Sequence, residues 1–173
     1  VLRRLCEMSG HDKIARLQGS ATLALEIAIS NFVYGKVLVV NTGFYSQRLL
    51  DIVSQHMDLG DARSEVDMID VGNLDSIHKS YDWVMACYTE TSNATIISTD
   101  ELYKLKKRTG ASLLLDATGS IGLEDNHELA DVIAYSSCKG LFGLTGACFV
   151  GFKVNPNNQI NSFYMDINSH INK

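Results

Sequence analysis

The residues best placed by type to do chemistry fall in four short polar clusters. Lys139 lies within Ser136-Ser137-Cys138-Lys139-Gly140-Leu141-Phe142-Gly143-Leu144-Thr145-Gly146. An amine held among small and apolar residues is poorly hydrated and suits Schiff-base chemistry; the plainer alternative is a surface lysine whose stem snorkels over its loop. Asp116 closes the apolar run Leu113-Leu114-Leu115. A carboxylate there suits a turn or helix cap, the commonest role, but also a metal ligand or a partner for a cationic ring nitrogen. Gln18-Gly19-Ser20-Ala21-Thr22 precedes a helix-length apolar run. Small residues at a helix start leave backbone N–H groups free to meet a phosphate, with Ser20 equally able to act as an N-cap. Thr89-Glu90-Thr91-Ser92 is the fourth cluster.

These clusters need a scaffold, and the chain alternates helix-sized and strand-sized segments. The pattern predicts helices over residues 1–8, ended by Gly10, and over Ala21 to Phe32, apolar on nearly every side. Further helices are expected over 45–57, with Gly60 after it, over a short Asn73–Lys79 segment capped by Asn73, and from Thr99-Asp100 to Arg108 with Gly110 beyond. Strands are expected at Lys36–Asn41, Glu65–Val71, Trp83–Tyr88, Ser112–Leu115, Val132–Tyr135 and Ala147–Phe152. Strands apolar throughout, alternating with helices, indicate a mostly parallel sheet covered on both faces, an α/β three-layer sandwich. Ligands on such sheets bind beyond the carboxyl ends of the strands, where Asn41-Thr42-Gly43, Thr89-Glu90-Thr91-Ser92, Asp116 to Ser120 and Ser136 to Lys139 fall. Lys153 to Asn158 holds the only proline and reads as an exit loop.

The composition narrows the function classes. The 173 residues are 46% hydrophobic and 20% charged, with a mean hydropathy of +0.01, the profile of a globular domain. A net charge of −5 argues against an extended nucleic-acid footprint. No apolar run approaches the roughly 18 residues of a membrane span. The four cysteines lack CxxC or Cys/His spacing and read as reduced thiols of a cytosolic protein, and the five histidines show no metal-ligand spacing. The first residue is Val1, so a processed or partial chain is expected. No GxGxxG or GxxxxGK[ST] supports a nucleotide-binding Rossmann-like domain.

Taken in order, the clusters resemble the class V aminotransferases, pyridoxal-phosphate-dependent enzymes of fold type I. Gln18 to Glu26 and Val39 to Arg48 are similar to that family's opening segments, and Thr89-Glu90-Thr91-Ser92 to its Glu-Thr-Ser loop. Asp116-Ala117-Thr118-Gly119-Ser120-Ile121-Gly122 resembles its Asp-Ala-x-Ser-Ser-x-Gly segment, and Ser136 to Gly146 its lysine loop. The resemblance implies that Lys139 holds pyridoxal 5'-phosphate and shuttles a proton, and that Asp116 pairs with the ring nitrogen. It implies further that Tyr45, or Phe44 one residue away, stacks on the ring and that Thr91 bonds the ring's 3-oxygen. Ser20, Ala21, Thr22 and Ser136 would then cradle the phosphate.

The implied activity is transfer of an amino group between a small amino donor and a 2-oxo acid, in a cytoplasmic homodimer whose partner subunit completes the phosphate site. The variants are most similar to the branch with 2-aminoethylphosphonate–pyruvate, alanine–glyoxylate and serine–pyruvate transaminases. Residues 1–152 are expected to form an incomplete cofactor-binding large domain, and 153–173 the exit to a C-terminal region that carries the substrate-carboxylate arginine. Cys138 stands where many relatives have glutamine, Ala94 where the Glu-Thr-Ser loop continues to glycine, and Ser20-Ala21 lacks a glycine of the phosphate loop. Cysteine desulfurases carry histidine at the places of Tyr45 and Cys138, which favours a transaminase. The departures motivate a second expectation, a non-catalytic remnant of the fold acting as a binding or assembly module.

Overall fold

A computed structural model of the chain describes residues 1–57 and 64–171. Helix α1 (Leu2–Ser9) ends at Gly10 in the left-handed conformation and leads into strand β1 (Lys13–Gln18). Then come α2 (Ala21–Phe32), β2 (Lys36–Asn41), α3 (Phe44–His56) and β3 (Glu65–Asp70). A 3-10 turn over Val71–Ser76 precedes β4 (Trp83–Cys87), and β5 (Thr89–Glu90) with β6 (Thr95–Ile96) forms a small hairpin. Helix α4 (Thr99–Thr109), β7 (Ser112–Asp116), a 3-10 turn at His127–Leu129, β8 (Val132–Ser136), β9 (Ala147–Phe152) and α5 (Asn168–Ile171) complete it.

One seven-stranded sheet runs in the order β1-β9-β8-β7-β4-β2-β3. Strands β3, β2, β4, β7 and β8 are parallel, and β9 is antiparallel to both β8 and β1. The apolar runs follow from burial on both faces. Val37 and Val39 face a core built with α2 and α3, while Leu38 and Val40 face a second core built with α1 and α4. The same alternation divides Met85 from Val84 and Leu114 from Leu113 and Leu115. The parallel register brings Asn41, Cys87, Asp116 and Ser136, each the last residue of its strand, to one edge. Among the described residues no helix is long and apolar enough to cross a membrane.

Residues 153–171 lie back over α2. The Asn158 side chain donates to the Ser30 and Val33 carbonyls at 2.7 and 2.9 Å, satisfying acceptors that the end of α2 leaves unpaired. The buried Asn31 donates to the Met165 carbonyl at 2.8 Å and accepts from the Ile167 amide at 3.1 Å. Ile167 is fully buried in the α2–α3 core.

Two local expectations change. The helix expected over Asn73–Lys79 is the 3-10 turn Val71–Ser76, in which the Ser76 hydroxyl bonds the Asn73 carbonyl instead of leaving room for a longer α-helix. β1 and the β5–β6 hairpin were not expected, because Lys13 and Arg16 interrupt the first and each hairpin arm has only two residues. Gly60, expected to follow α3, lies outside the described residues; the helix ends at His56 with Met57 as its C-cap.

Candidate active site

A cavity of about 370 Å³ opens at the carboxyl edge of the sheet, within the usual size range of small-ligand sites. Ser20, Ala21, Thr22, Tyr45, Asp116, Ser136 and Lys139 all line it. Thr91 joins through its hydroxyl, which accepts from Lys139 Nζ at 2.9 Å. The structure thus brings these eight residues together from five separate segments. Phe44, by contrast, is exposed and outside the lining, edge-on to the Tyr45 ring at 5.4 Å between centroids. A larger open depression of about 900 Å³ lies at the opposite edge, around Tyr34, Lys36, His56 and Asp82, and none of the expected site residues lines it.

Each side chain has a local reason for its place. Ser20 ends the approach from β1 as the N-cap of α2, its hydroxyl accepting from the Leu23 amide at 3.5 Å. The amides of the first turn, Ala21 and Thr22, lack intrahelical acceptors, as at any helix start, and face an anion favourably. The Gly19 amide donates to the Gly146 carbonyl at 3.0 Å and so ties this turn to the far end of the lysine loop. Lys139 Nζ sits 4.1 Å from the Tyr45 ring centroid, close enough for a cation–π contact. The Ser136 hydroxyl and the Cys138 thiol face each other at 3.3 Å.

Asp116 sits on the cavity floor, almost entirely buried, with Oδ1 accepting from the Thr118 amide at 2.9 Å. Burial raises its pKa, opposed by Thr118 and by the positive charges of Lys139 and Arg48. The adjacent Cys87 thiol is pushed up too, chiefly by burial and then by the Asp116 and Glu90 carboxylates, so it stays protonated. The Thr89 hydroxyl, also on the lining, is buried without a hydrogen-bond partner. A floor carboxylate, an amine opposite, an unpaired hydroxyl and a helix start with free amides form a donor set that fits pyridoxal phosphate.

Sequence reasoning assigned no role to Arg48 or Glu90. Arg48 lines the cavity, donates to the Thr22 hydroxyl at 3.3 Å, and lies 5.0 Å from the Tyr45 ring centroid. Its signal was its spacing, since three residues after Tyr45 on a helix is the same face. Glu90 is wholly buried behind the site, and its signal was a carboxylate just beyond the apolar strand expected at Trp83–Tyr88.

The sheet order, the two packed faces and the site at the carboxyl edge match the large-domain fold of aminotransferases of known structure. An aspartate aminotransferase from Thermus thermophilus superposes with a TM-score of 0.78 at 22% identity, covering 95% of this chain and 50% of that one. An alanine–glyoxylate aminotransferase from Nostoc sp. gives 0.77 at 20% identity, over 95% and 48%. In sequence, the chain is 31% identical over 144 residues to a 2-aminoethylphosphonate–pyruvate transaminase of Pseudomonas aeruginosa strain UCBPP-PA14, and 33% identical over 144 residues to that of Pseudomonas putida strain W619. Each match takes in 78% of this chain, which spans 39% of the length of these curated relatives. No protein-family model matches the chain. The resemblance to class V aminotransferases read from the motifs therefore holds over the central part of the chain.

Proposed function

We propose that this chain forms the cofactor-binding part of a pyridoxal-phosphate-dependent transaminase that moves an amino group between a small amino donor and a 2-oxo acid. One observation carries the reading: the Lys139 amine, the Asp116 carboxylate and the Tyr45 ring share a single cavity with the start of α2. Bound pyridoxal phosphate supplies an electron sink for the bond-breaking step at the donor's α-carbon. Lys139 is the residue to hold it covalently, and its Nζ, once freed, takes the proton from the donor's α-carbon. Burial disfavours the Asp116 carboxylate, and a protonated ring nitrogen would add to the positive charges of Lys139 and Arg48 that favour it. Tyr45 covers one face of the ring, Thr91 holds the 3-oxygen, and Ser20, Ala21, Thr22 and Ser136 take the phosphate. The enzyme works as a cytoplasmic homodimer in this reading.

The test is amino-group transfer by the protein carrying this chain at its full natural length. Pyruvate and glyoxylate serve as acceptors against 2-aminoethylphosphonate, alanine and serine as donors. Transfer with at least one pair, abolished by Lys139→Ala, supports the reading; no transfer with any pair despite bound cofactor overturns it in favour of a binding or assembly module.

A further inference from the structure

Glu90 has no exposed surface, and among the described residues no cation pairs with it. Four neutral donors converge on it instead. Oε2 accepts from the Tyr45 and Ser46 amides at 3.0 and 3.3 Å; Oε1 accepts from the Ser92 amide at 3.2 Å and the Ser92 hydroxyl at 2.5 Å. The first two are orphan amides of α3, whose N-cap is Gly43. Gly43 has no side chain to cap with, and none would fit: φ is 146°, and a β-carbon would meet Asn93 Nδ2 at 2.9 Å and Glu90 Cγ at 3.0 Å. The carboxylate is therefore an N-cap supplied from another segment, and the partial positive charge of the helix start compensates its burial.

The position of this cap matters more than its strength. On one side it holds the backbone of Tyr45. On the other, the next residue, Thr91, accepts from Lys139 Nζ at 2.9 Å, and that amine lies 4.1 Å from the Tyr45 ring centroid. Asn93 tightens the same junction by donating to the Thr42 carbonyl at 2.6 Å. We propose that Glu90 is a positioning residue: by capping α3 across the site, it sets the Tyr45 ring at the height where it covers the ring held at Lys139. The inference rests on the cofactor reading above. A glutamine keeps the volume but loses the charge, and its amide group presents donors to a cluster that already consists of donors.

The experiment compares wild type, Glu90→Gln, Tyr45→Ala and the double variant, each in the protein at its full natural length. In cofactor-free protein, hydrogen exchange at the Tyr45 and Ser46 amides is expected to quicken about tenfold in Glu90→Gln, the size of one hydrogen bond to a charged group. Pyridoxal-phosphate affinity is expected to weaken about tenfold in Glu90→Gln, yet change by no more than about twofold when Tyr45 is already alanine. Equal losses in both backgrounds, or unchanged exchange, overturn the proposal, since a merely stabilising cap acts regardless of Tyr45. If wild type binds no pyridoxal phosphate the cofactor reading fails, while the exchange measurement still decides whether Glu90 holds Tyr45. Should Glu90→Gln not fold, Ser92→Ala removes the hydroxyl that steadies the carboxylate and gives the same two readings at smaller amplitude.

Discussion

Gly140 follows Lys139, the proposed cofactor lysine, and its lack of a side chain is what lets the lysine loop pack down. A β-carbon built there would lie under 3.0 Å from the Ile121 carbonyl oxygen, and 3.2 and 3.3 Å from the Ile121 carbon and nitrogen. The obstacle is backbone of the Asp116–Gly122 segment, which cannot swing aside as a side-chain tip would. Overpacking of this kind costs about 1–3 kcal/mol. The Gly140 amide also donates to the Thr118 carbonyl at 3.1 Å, and losing that bond adds about 1 kcal/mol. Gly140→Ala is therefore expected to cost about 2–4 kcal/mol in urea unfolding and to weaken cofactor binding by displacing Lys139 from Asp116. Gly72→Ala is the matched control, because nothing lies within 4 Å of a β-carbon there and its φ is not positive. Equal stability of the two variants, with normal cofactor binding by Gly140→Ala, refutes the reasoning.

Three further outcomes are expected. Ala94 adopts a φ of 58°, and a non-glycine residue there carries about 1–2 kcal/mol of strain against the 0.5–1 kcal/mol entropy cost of glycine. Ala94→Gly is thus expected to stabilise by about 0.5–1 kcal/mol in denaturant unfolding, and a loss of stability contradicts this. Burial lowers the His11 pKa to about 4 from 6.5, against the opposing pull of the Ser9 carbonyl. On acidification the unfolded chain takes that proton first, so stability falls from pH 6.5 towards 4, by roughly 3 kcal/mol. His11→Asn is expected to flatten the pH–stability curve over that window, and an unchanged slope contradicts it. Asp116→Asn relieves a buried carboxylate, so cofactor-free protein is expected to be no less stable, while amino transfer falls about a hundredfold or more; a destabilised variant with near-normal transfer contradicts both halves.

The sequence was most legible where burial acts on both faces of a strand. Val37 to Val40 and Leu113 to Leu115 are apolar throughout because alternate side chains enter different cores, so their runs announce a covered parallel sheet. β1 was opaque because Lys13, Arg16 and Gln18 break its apolar run, although Ile14 enters one core and Ala15 and Leu17 the other. The return of residues 153–171 over α2 depends on Asn31 and Asn158 bonding backbone groups, and no periodicity encodes such contacts. At the site, Asp116 was visible because it ends an apolar strand, Ser20 because it opens an apolar helix, and Lys139 because it sits in a small-residue loop just after another apolar strand. Glu90 was not, because its meaning lies in amides 44 and 45 residues away in sequence. Arg48 escaped notice because a cation on an exposed-looking helix usually marks a solvated face.

The central claim is that Lys139 carries pyridoxal phosphate. Borohydride reduction of the protein incubated with pyridoxal phosphate, followed by peptide mass mapping, tests it directly. The expected result is one cofactor mass on the peptide containing Lys139, with none retained by Lys139→Ala. Absence of any adduct, or an adduct on other lysines that persists in Lys139→Ala, contradicts the account.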